Sequence, residues 1–173
     1  MARFILSAFA DEASQSVEKQ IEALHANGIK GVELRGVNGK SVKDLTLEEA
    51  RVVSVQLAEA GITVTSMGSP FGKIGINDDF GAHFEEFKHA LELCRILGTS
   101  RMRVFSFYIP AGEDPAKYRD EVLRRLSLML DAAEKENILL CHENEKGIYG
   151  DIGDRCVDLA STLGSSLGVV FDP

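Results

Sequence analysis

The chain has 173 residues, 45% of them apolar, and a formal net charge of −8. That length fits one folded domain, and the apolar share is ordinary for a globular core. The acidic balance, with no block of Lys or Arg, argues against a nucleic-acid partner, and no run approaches the roughly 20 apolar residues of a membrane helix.

The apolar run Phe4–Phe9 reads as a first strand. Val17, Ile21 and Leu24 then recur at helical spacing until Asn27-Gly28, where glycine supplies a left-handed cap. Gly31–Arg35 is the second strand. Thr46-Leu-Glu-Glu49 has the form of a capping box, whose side chains satisfy free amides at a helix start. The helix it opens extends to Gly61, and Ile62–Met67 follows as the third strand. Phe80, Phe84, Phe87, Leu91 and Cys94 mark one face of a helix ending near Gly98, an aromatic stripe that reads as core rather than as a cofactor box. Met102–Phe107 is the fourth strand. Asp114-Pro115 supplies an N-cap and a proline at the first helical position, and Tyr118, Val122, Leu126 and Leu130 continue that helix. Ile138–Glu143, Asp154–Leu163 and Gly168–Asp172 read as the fifth strand, the fifth helix and the sixth strand.

A β-loop-α unit repeated every 30–40 residues or about that is the mark of parallel α/β architecture. The expected fold is a partial (β/α)8 TIM barrel: five βα units plus a sixth strand, all strands parallel, in one domain spanning residues 1–173. A closed barrel needs about 250 residues, so about two C-terminal βα units are expected to lie outside this sequence. An open, doubly wound sheet is the structural rival, but such sheets usually carry a glycine-rich phosphate loop after the first strand. Ala10-Asp-Glu-Ala-Ser14 stands there instead, acidic and without glycine. Gly36-Val-Asn-Gly-Lys-Ser41 imitates a P-loop only in part, because Leu34 occupies the place of its first glycine; it reads as a loop after the second strand.

Glu33, Arg35, Ser69, Ser106, Tyr108, Glu143, Asn144 and Asp172 all fall at carboxyl ends of the expected strands, the edge where a β/α barrel builds its site. By the two-residue strand period, Leu139, Cys141 and Glu143 share one face and His142 takes the other; Val170 and Asp172 share a face of the sixth strand. Strands about 4.8 Å apart would bring Glu143 and Asp172 within reach of one divalent cation, although both could equally cap strands or bind loop amides. Oxygen ligands suit Mg²⁺ or Mn²⁺, and an added imidazole would shift the preference toward Mn²⁺, Co²⁺ or Zn²⁺. Glu145 is an alternative ligand beyond the strand end. Glu33, Arg35, Ser69 and Asn144 are candidate substrate contacts, with a structural ion pair the other reading of Glu33 and Arg35. Lys73 is a further candidate for phosphate. His142 reads as core-facing, and His25, His83 and His89 as helix residues remote from the strand ends.

Cys141-His-Glu-Asn-Glu-Lys-Gly-Ile-Tyr-Gly-Asp151, followed by Val169-Val-Phe-Asp-Pro173, resembles the sugar phosphate isomerase/epimerase family of xylose-isomerase-like barrels, and Gly31-Val-Glu-Leu-Arg35 is similar to that family's second strand. The resemblance implies that Glu143 and Asp172 bind a divalent metal, with a histidine and a second glutamate from two later strands completing the site. It also implies that Glu143 is one half of an acid/base pair moving a proton through an enediolate, and that the metal is Mn, Mg, Co or Zn. The expected function is a metal-dependent isomerase or epimerase of a sugar or sugar phosphate, the chain alone being inactive. The alternatives are a non-catalytic binding half-barrel and, less favoured, an endonuclease IV-like hydrolase.

Three cysteines without C-x-x-C spacing suggest neither a disulfide framework nor a zinc knuckle. They fit a reducing cytoplasm. The N-terminal run Met1–Ala10 imitates a signal peptide only faintly, since Asp11 and Glu12 follow at once. The expected partner is a small sugar or sugar phosphate, with neither membrane nor nucleic acid, and a homo-oligomer is compatible with the composition.

Overall fold

The helix signals of the sequence are met by local hydrogen bonds in the structure, a computed structural model that describes residues 4–172. Met1, Ala2 and Arg3 of the N-terminal run, and Pro173 of the last strand's motif, lie outside the described residues. The chain divides into two compact units, Met1–Ser69 with Glu92–Arg101, and Pro70–Leu91 with Met102–Pro173.

The first unit contains β1 (Ser7–Ala8), α1 (Val17–Ala26), β2 (Gly31–Leu34), β3 (Gly36–Val37), β4 (Lys40–Ser41), α2 (Leu47–Glu59) and β5 (Thr63–Met67). The capping box opens α2 as the sequence predicts: the Glu49 amide donates to the Thr46 hydroxyl (3.1 Å) and the Thr46 amide to the Glu49 carboxylate (2.9 Å). β2 lies between β1 and β5, parallel to both, with Ser7 opposite Gly31 and Gly31 opposite Thr63. An open doubly wound sheet would place its first strand inside the order; here the first strand stands outside the second. Val32, Leu34, Val64 and Met67 of the strands and Ala50, Val53 and Leu57 of α2 are buried.

Two features of this unit differ from the sequence reading. Only Ser7 and Ala8 of the expected strand Phe4–Phe9 pair with β2, and Phe4, Ile5 and Leu6 are exposed. Apolar alternation reports a propensity, and pairing decides the strand. The segment Gly36–Ser41 is an antiparallel hairpin, β3 with β4, turned by Asn38 (φ 53°) and Gly39 (φ 76°). Two consecutive left-handed residues make the type I′ geometry that Asn-Gly favours. The Asn38 side chain also accepts from the Val17 amide (3.1 Å), so the hairpin caps α1.

The second unit contains most of α3 (Phe80–Leu97), β6 (Arg101–Val104) from Met102 on, α4 (Arg119–Lys135), β7 (Leu139–Glu143), α5 (Gly153–Leu163) and β8 (Leu167–Val170). β7 lies between β6 and β8, and β8 runs parallel to it with Glu143 opposite Val170. The strand expected over Met102–Phe107 stops at Val104. Beyond it, the segment 71–76 supplies the partners: the Phe105 amide donates to Phe71 O (2.8 Å), Phe107 to Gly72 O (2.9 Å) and Tyr108 to Ile74 O (2.9 Å). Of the stripe, Phe87, Leu91 and Cys94 are buried, and Phe80 and Phe84 are half-buried. Phe71 meets Phe87 and His83 edge-on at 5.4 and 5.2 Å, and Phe80 meets Phe107 edge-on at 5.9 Å. Parallel strands in sequence order, with helices between them, thus stand in both units. Among the described residues, no helix is long and apolar enough to cross a membrane.

Gly72 is the position where backbone geometry is least forgiving. Its φ is 91°, and a Cβ there would lie 2.0 Å from the Phe105 carbonyl oxygen. Gly72→Ala therefore displaces the 71–76 segment and should cost about 3 kcal/mol or more of unfolding free energy. Gly39→Ala, at φ 76° with open space around it, should cost about 1 kcal/mol. Urea denaturation of the two variants checks the difference.

Candidate functional site

Strand alternation sorts β7 into two faces. Leu140 and His142 are buried on one, while Leu139, Cys141 and Glu143 share the other. Glu143, at the strand's carboxyl end, is 9% exposed. A carboxylate withdrawn from water to that degree must be compensated. Arg103 of β6 provides part of this, its Nη1 lying 3.4 and 3.5 Å from the two Glu143 oxygens.

Asp172 lies two residues beyond Val170, the residue opposite Glu143, and by alternation it takes the Glu143 side of β8. Its backbone is fixed by Asn144, whose side-chain amide donates to Asp172 O (2.9 Å) and whose oxygen accepts from the Asp172 amide (3.0 Å). This reciprocal pair pins the end of β8 to the end of β7. Asn144, a candidate substrate contact in the sequence, thus directs its side-chain amide to the neighbouring strand.

Burial pushes the Glu143 carboxyl above the ordinary carboxylate range. The charge of Asp172 pushes the same way, while Arg103 and Lys73 pull it down. Two carboxylates that repel one another at adjacent strand ends, one of them buried, are the donor set a hard divalent cation fits. Among the described residues, no group of three or more His, Cys, Asp or Glu side chains is placed to hold a metal ion. Glu143 and Asp172 would thus contribute two ligands, with the other positions taken by further donors.

Beyond the strand end, Glu145 is paired with Lys73 at 2.5 Å, which holds its carboxyl below the usual range. The Lys73 ammonium also lies over the Phe105 ring, 4.2 Å from its centroid, and the Arg103 guanidinium lies 5.0 Å from the same centroid. Arg103 escaped the sequence reading because it sits within an apolar strand. A lone charge inside such a strand was the available signal, since burial there demands a partner.

His142 backs the site from the other face of β7. Its Nε2 lies 2.9 Å from the Ser106 hydroxyl, which also accepts from the Gly150 amide (2.8 Å). A Cβ at Gly150 would come within 2.4 Å of the ring, so glycine is what admits the imidazole. His83 sits on the helix side against Phe71, its Nε2 accepting from the Gly72 amide (2.9 Å).

Glu33, Arg35 and Ser69 belong to the first unit. Arg35 bonds Asp11 (2.9 Å) and Glu12 (3.3 Å) and lies over the Phe9 ring. Its ion-pair partners therefore come from the acidic segment after β1. Ser69 is fully buried and Glu33 half-buried.

Residues 21–173 match the family model of the xylose isomerase-like TIM barrels. Several solved structures share the fold. The probable 3-DHS dehydratase AsbF of Bacillus anthracis superposes with a TM-score of 0.79 at 17% identity, over 99% of this chain and 63% of that one. The IOLI protein, in a structure with a zinc atom, gives 0.74 at 14% identity over 97% of this chain and 62% of that one. The 3-keto-D-glucoside 4-epimerase YcjR of E. coli gives 0.72 at 13% identity over 97% and 67%. At such identities the likeness is one of fold. The chain spans 63% of the length of AsbF. No curated protein matches it by sequence.

Burial lowers the pKa of His142 to about 4, so the ring is neutral at neutral pH. An unfolded histidine takes up its proton near pH 6.5. The unfolded chain therefore binds a proton that the folded chain refuses between about pH 6.5 and 4, and stability falls as pH drops through that window. In NMR titration the His142 ring signals should stay in the neutral form through pH 5. A His142 midpoint near 6.5 would contradict the buried, uncharged ring.

Proposed function

Because the chain belongs to the xylose isomerase-like TIM barrel family, we propose that it is the part of a divalent-metal-dependent isomerase or epimerase, acting on a sugar or sugar phosphate, that carries the metal-binding carboxylates Glu143 and Asp172. The observation that carries the reading is Glu143: a buried carboxylate at a strand's carboxyl end, with the charge of Asp172 adding to its raised pKa. The zinc atom in the IOLI structure and the epimerase activity of YcjR support it at the level of shared fold.

A divalent ion, when bound, polarises the substrate carbonyl as a Lewis acid and stabilises the negative charge that develops on its oxygen. The chain's own residues do the rest. Glu143 takes the proton from the carbon beside that carbonyl, and a carboxyl held above its ordinary pKa is better matched to proton transfer near neutral pH. Asn144 keeps Asp172 in place, and Arg103 holds Glu143 in its buried position. Returning the proton from the opposite side of the carbon needs a second acid, as the family resemblance implies.

The same proton abstraction ends in loss of water when a hydroxyl lies β to the carbonyl. The likeness to AsbF, a probable dehydratase, keeps that outcome as a second reading, and product analysis separates the two.

Calorimetric titration with Mn²⁺ or Zn²⁺ tests the metal site on the chain itself. Glu143→Gln and Asp172→Asn should each weaken binding about tenfold or more, and Asn144→Ala less. Binding should also weaken on acidification, beginning above the ordinary carboxylate range, because protons compete for Glu143. In a protein with the complete site, Glu143→Gln should lower kcat by about 100-fold or more. Metal affinity and turnover unchanged in Glu143→Gln would remove the basis of the proposal.

A further inference from the structure

We infer that a pocket of about 370 Å³ at the amino end of β7 receives the side chain of a lysine presented by a partner protein. This pocket and Glu143 lie at opposite ends of the strand, within the second unit, so neither reading depends on the other.

Leu130 and Glu134 stand one turn apart on the same face of α4 and line one part of the pocket. Asn137, in the left-handed conformation (φ 57°), turns the chain from α4 into β7. Ile138 and Leu139 follow it into the lining, and Ser165 and Ser166 join from the turn before β8. Leu130, Ile138 and Leu139 offer apolar surface, and Leu139 is 38% exposed, a large side chain left open to water at the strand start. The charge here is negative. Glu134 is exposed and enters no ion pair among the described residues. It sits in the last turn of α4, where the helix dipole already concentrates negative charge. A carboxylate at that end costs stability, and a cation in the pocket answers the side chain and the helix end together. The Ser165 and Ser166 hydroxyls are exposed and enter no hydrogen bond among the described residues. One carboxylate and two hydroxyls suit the three donors of an ammonium group. The apolar surface suits the aliphatic stem that carries it. A guanidinium fork is matched by paired oxygens in one plane, whereas a point charge accepts oxygens spread around it. Because Glu134 and Leu139 are open to solvent, a side chain can enter while its own backbone stays outside. A free small molecule is ordinarily held in a more enclosed site.

The probes are Nα-acetyl-lysine methylamide, its Nε-acetylated form, and the norleucine and arginine analogues, each titrated into the isotope-labelled chain and followed by NMR. The lysine compound should shift the amide signals of Glu134, Leu139, Ser165 and Ser166. It should bind about fivefold more tightly than the norleucine or Nε-acetylated compound, the upper range for an exposed ion pair. In Glu134→Gln that advantage should vanish, while the thermal midpoint of the free variant rises by about 1–3 °C as the charge leaves the helix end. Weaker binding by a more stable chain separates ligand contact from a structural role. Norleucine binding as tightly as lysine would make the pocket merely apolar, and tighter binding of the arginine analogue would assign a different partner. Shifts confined to other residues would place the lysine elsewhere. Each of these results, or a lysine preference unchanged in Glu134→Gln, would overturn the assignment.

Discussion

A glutamate held nine-tenths out of water at the end of a strand sets the terms for the second unit of this protein. Glu143 cannot stay charged there without neighbours that answer its charge, nor be moved without disturbing β7. Arg103 answers from β6, at a distance that balances the charge while leaving the carboxylate oxygens available. Asp172 works against it, raising the Glu143 pKa further. Asn144 holds that opposing charge in place by bonding the Asp172 backbone in both directions. Structure that fixes two repelling carboxylates side by side is costly on its own account and sensible when a cation is to lie between them.

The opposite face of β7 is apolar and dry, and it fixes the strand that presents Glu143. His142 is uncharged there, bonded to Ser106, and fitted against a glycine that leaves room for nothing larger. A second close approach, Gly72 against the Phe105 carbonyl, ties the segment 71–76 to the chain beyond β6. That segment carries Lys73 to the Phe105 ring and Glu145. Its neighbour Phe71 enters the aromatic core with Phe87 and His83. The core and the charged cluster are consecutive residues of one strip of backbone, so the packing of phenylalanines positions an ammonium group.

Much of this was legible in the amino-acid order, for reasons that differ by feature. Thr46 and Glu49 are a local device, complete within four residues, and they appear as expected. The left-handed helix ends at Gly28, Gly61, Gly98 and Gly164, with Asn137 in the same role, are equally local. Glu143 and His142 fall on opposite faces by strand period alone. What sequence could not give was the partner across space. Arg103 sits in an apolar stretch whose neighbour is set by sheet pairing, and Lys73 meets Glu145 across 72 positions of chain. A structural ion pair is one of the two readings that the order of residues offers for Glu33 and Arg35, but it does not name Arg35's partners, Asp11 and Glu12, which the pairing of β1 with β2 brings near. The Asn38-Gly39 hairpin is different: its two left-handed residues are the ordinary sign of a tight turn, and short flanking strands hid it.

The central claim is that Glu143 and Asp172 share one divalent ion. Anomalous scattering from crystals of the chain grown with Zn²⁺ tests it most directly. The account predicts a peak about 2.0–2.2 Å from a carboxylate oxygen of each residue. Zinc found only at cysteine or histidine side chains, with Glu143 still turned to Arg103 and no density between the two carboxylates, would contradict it.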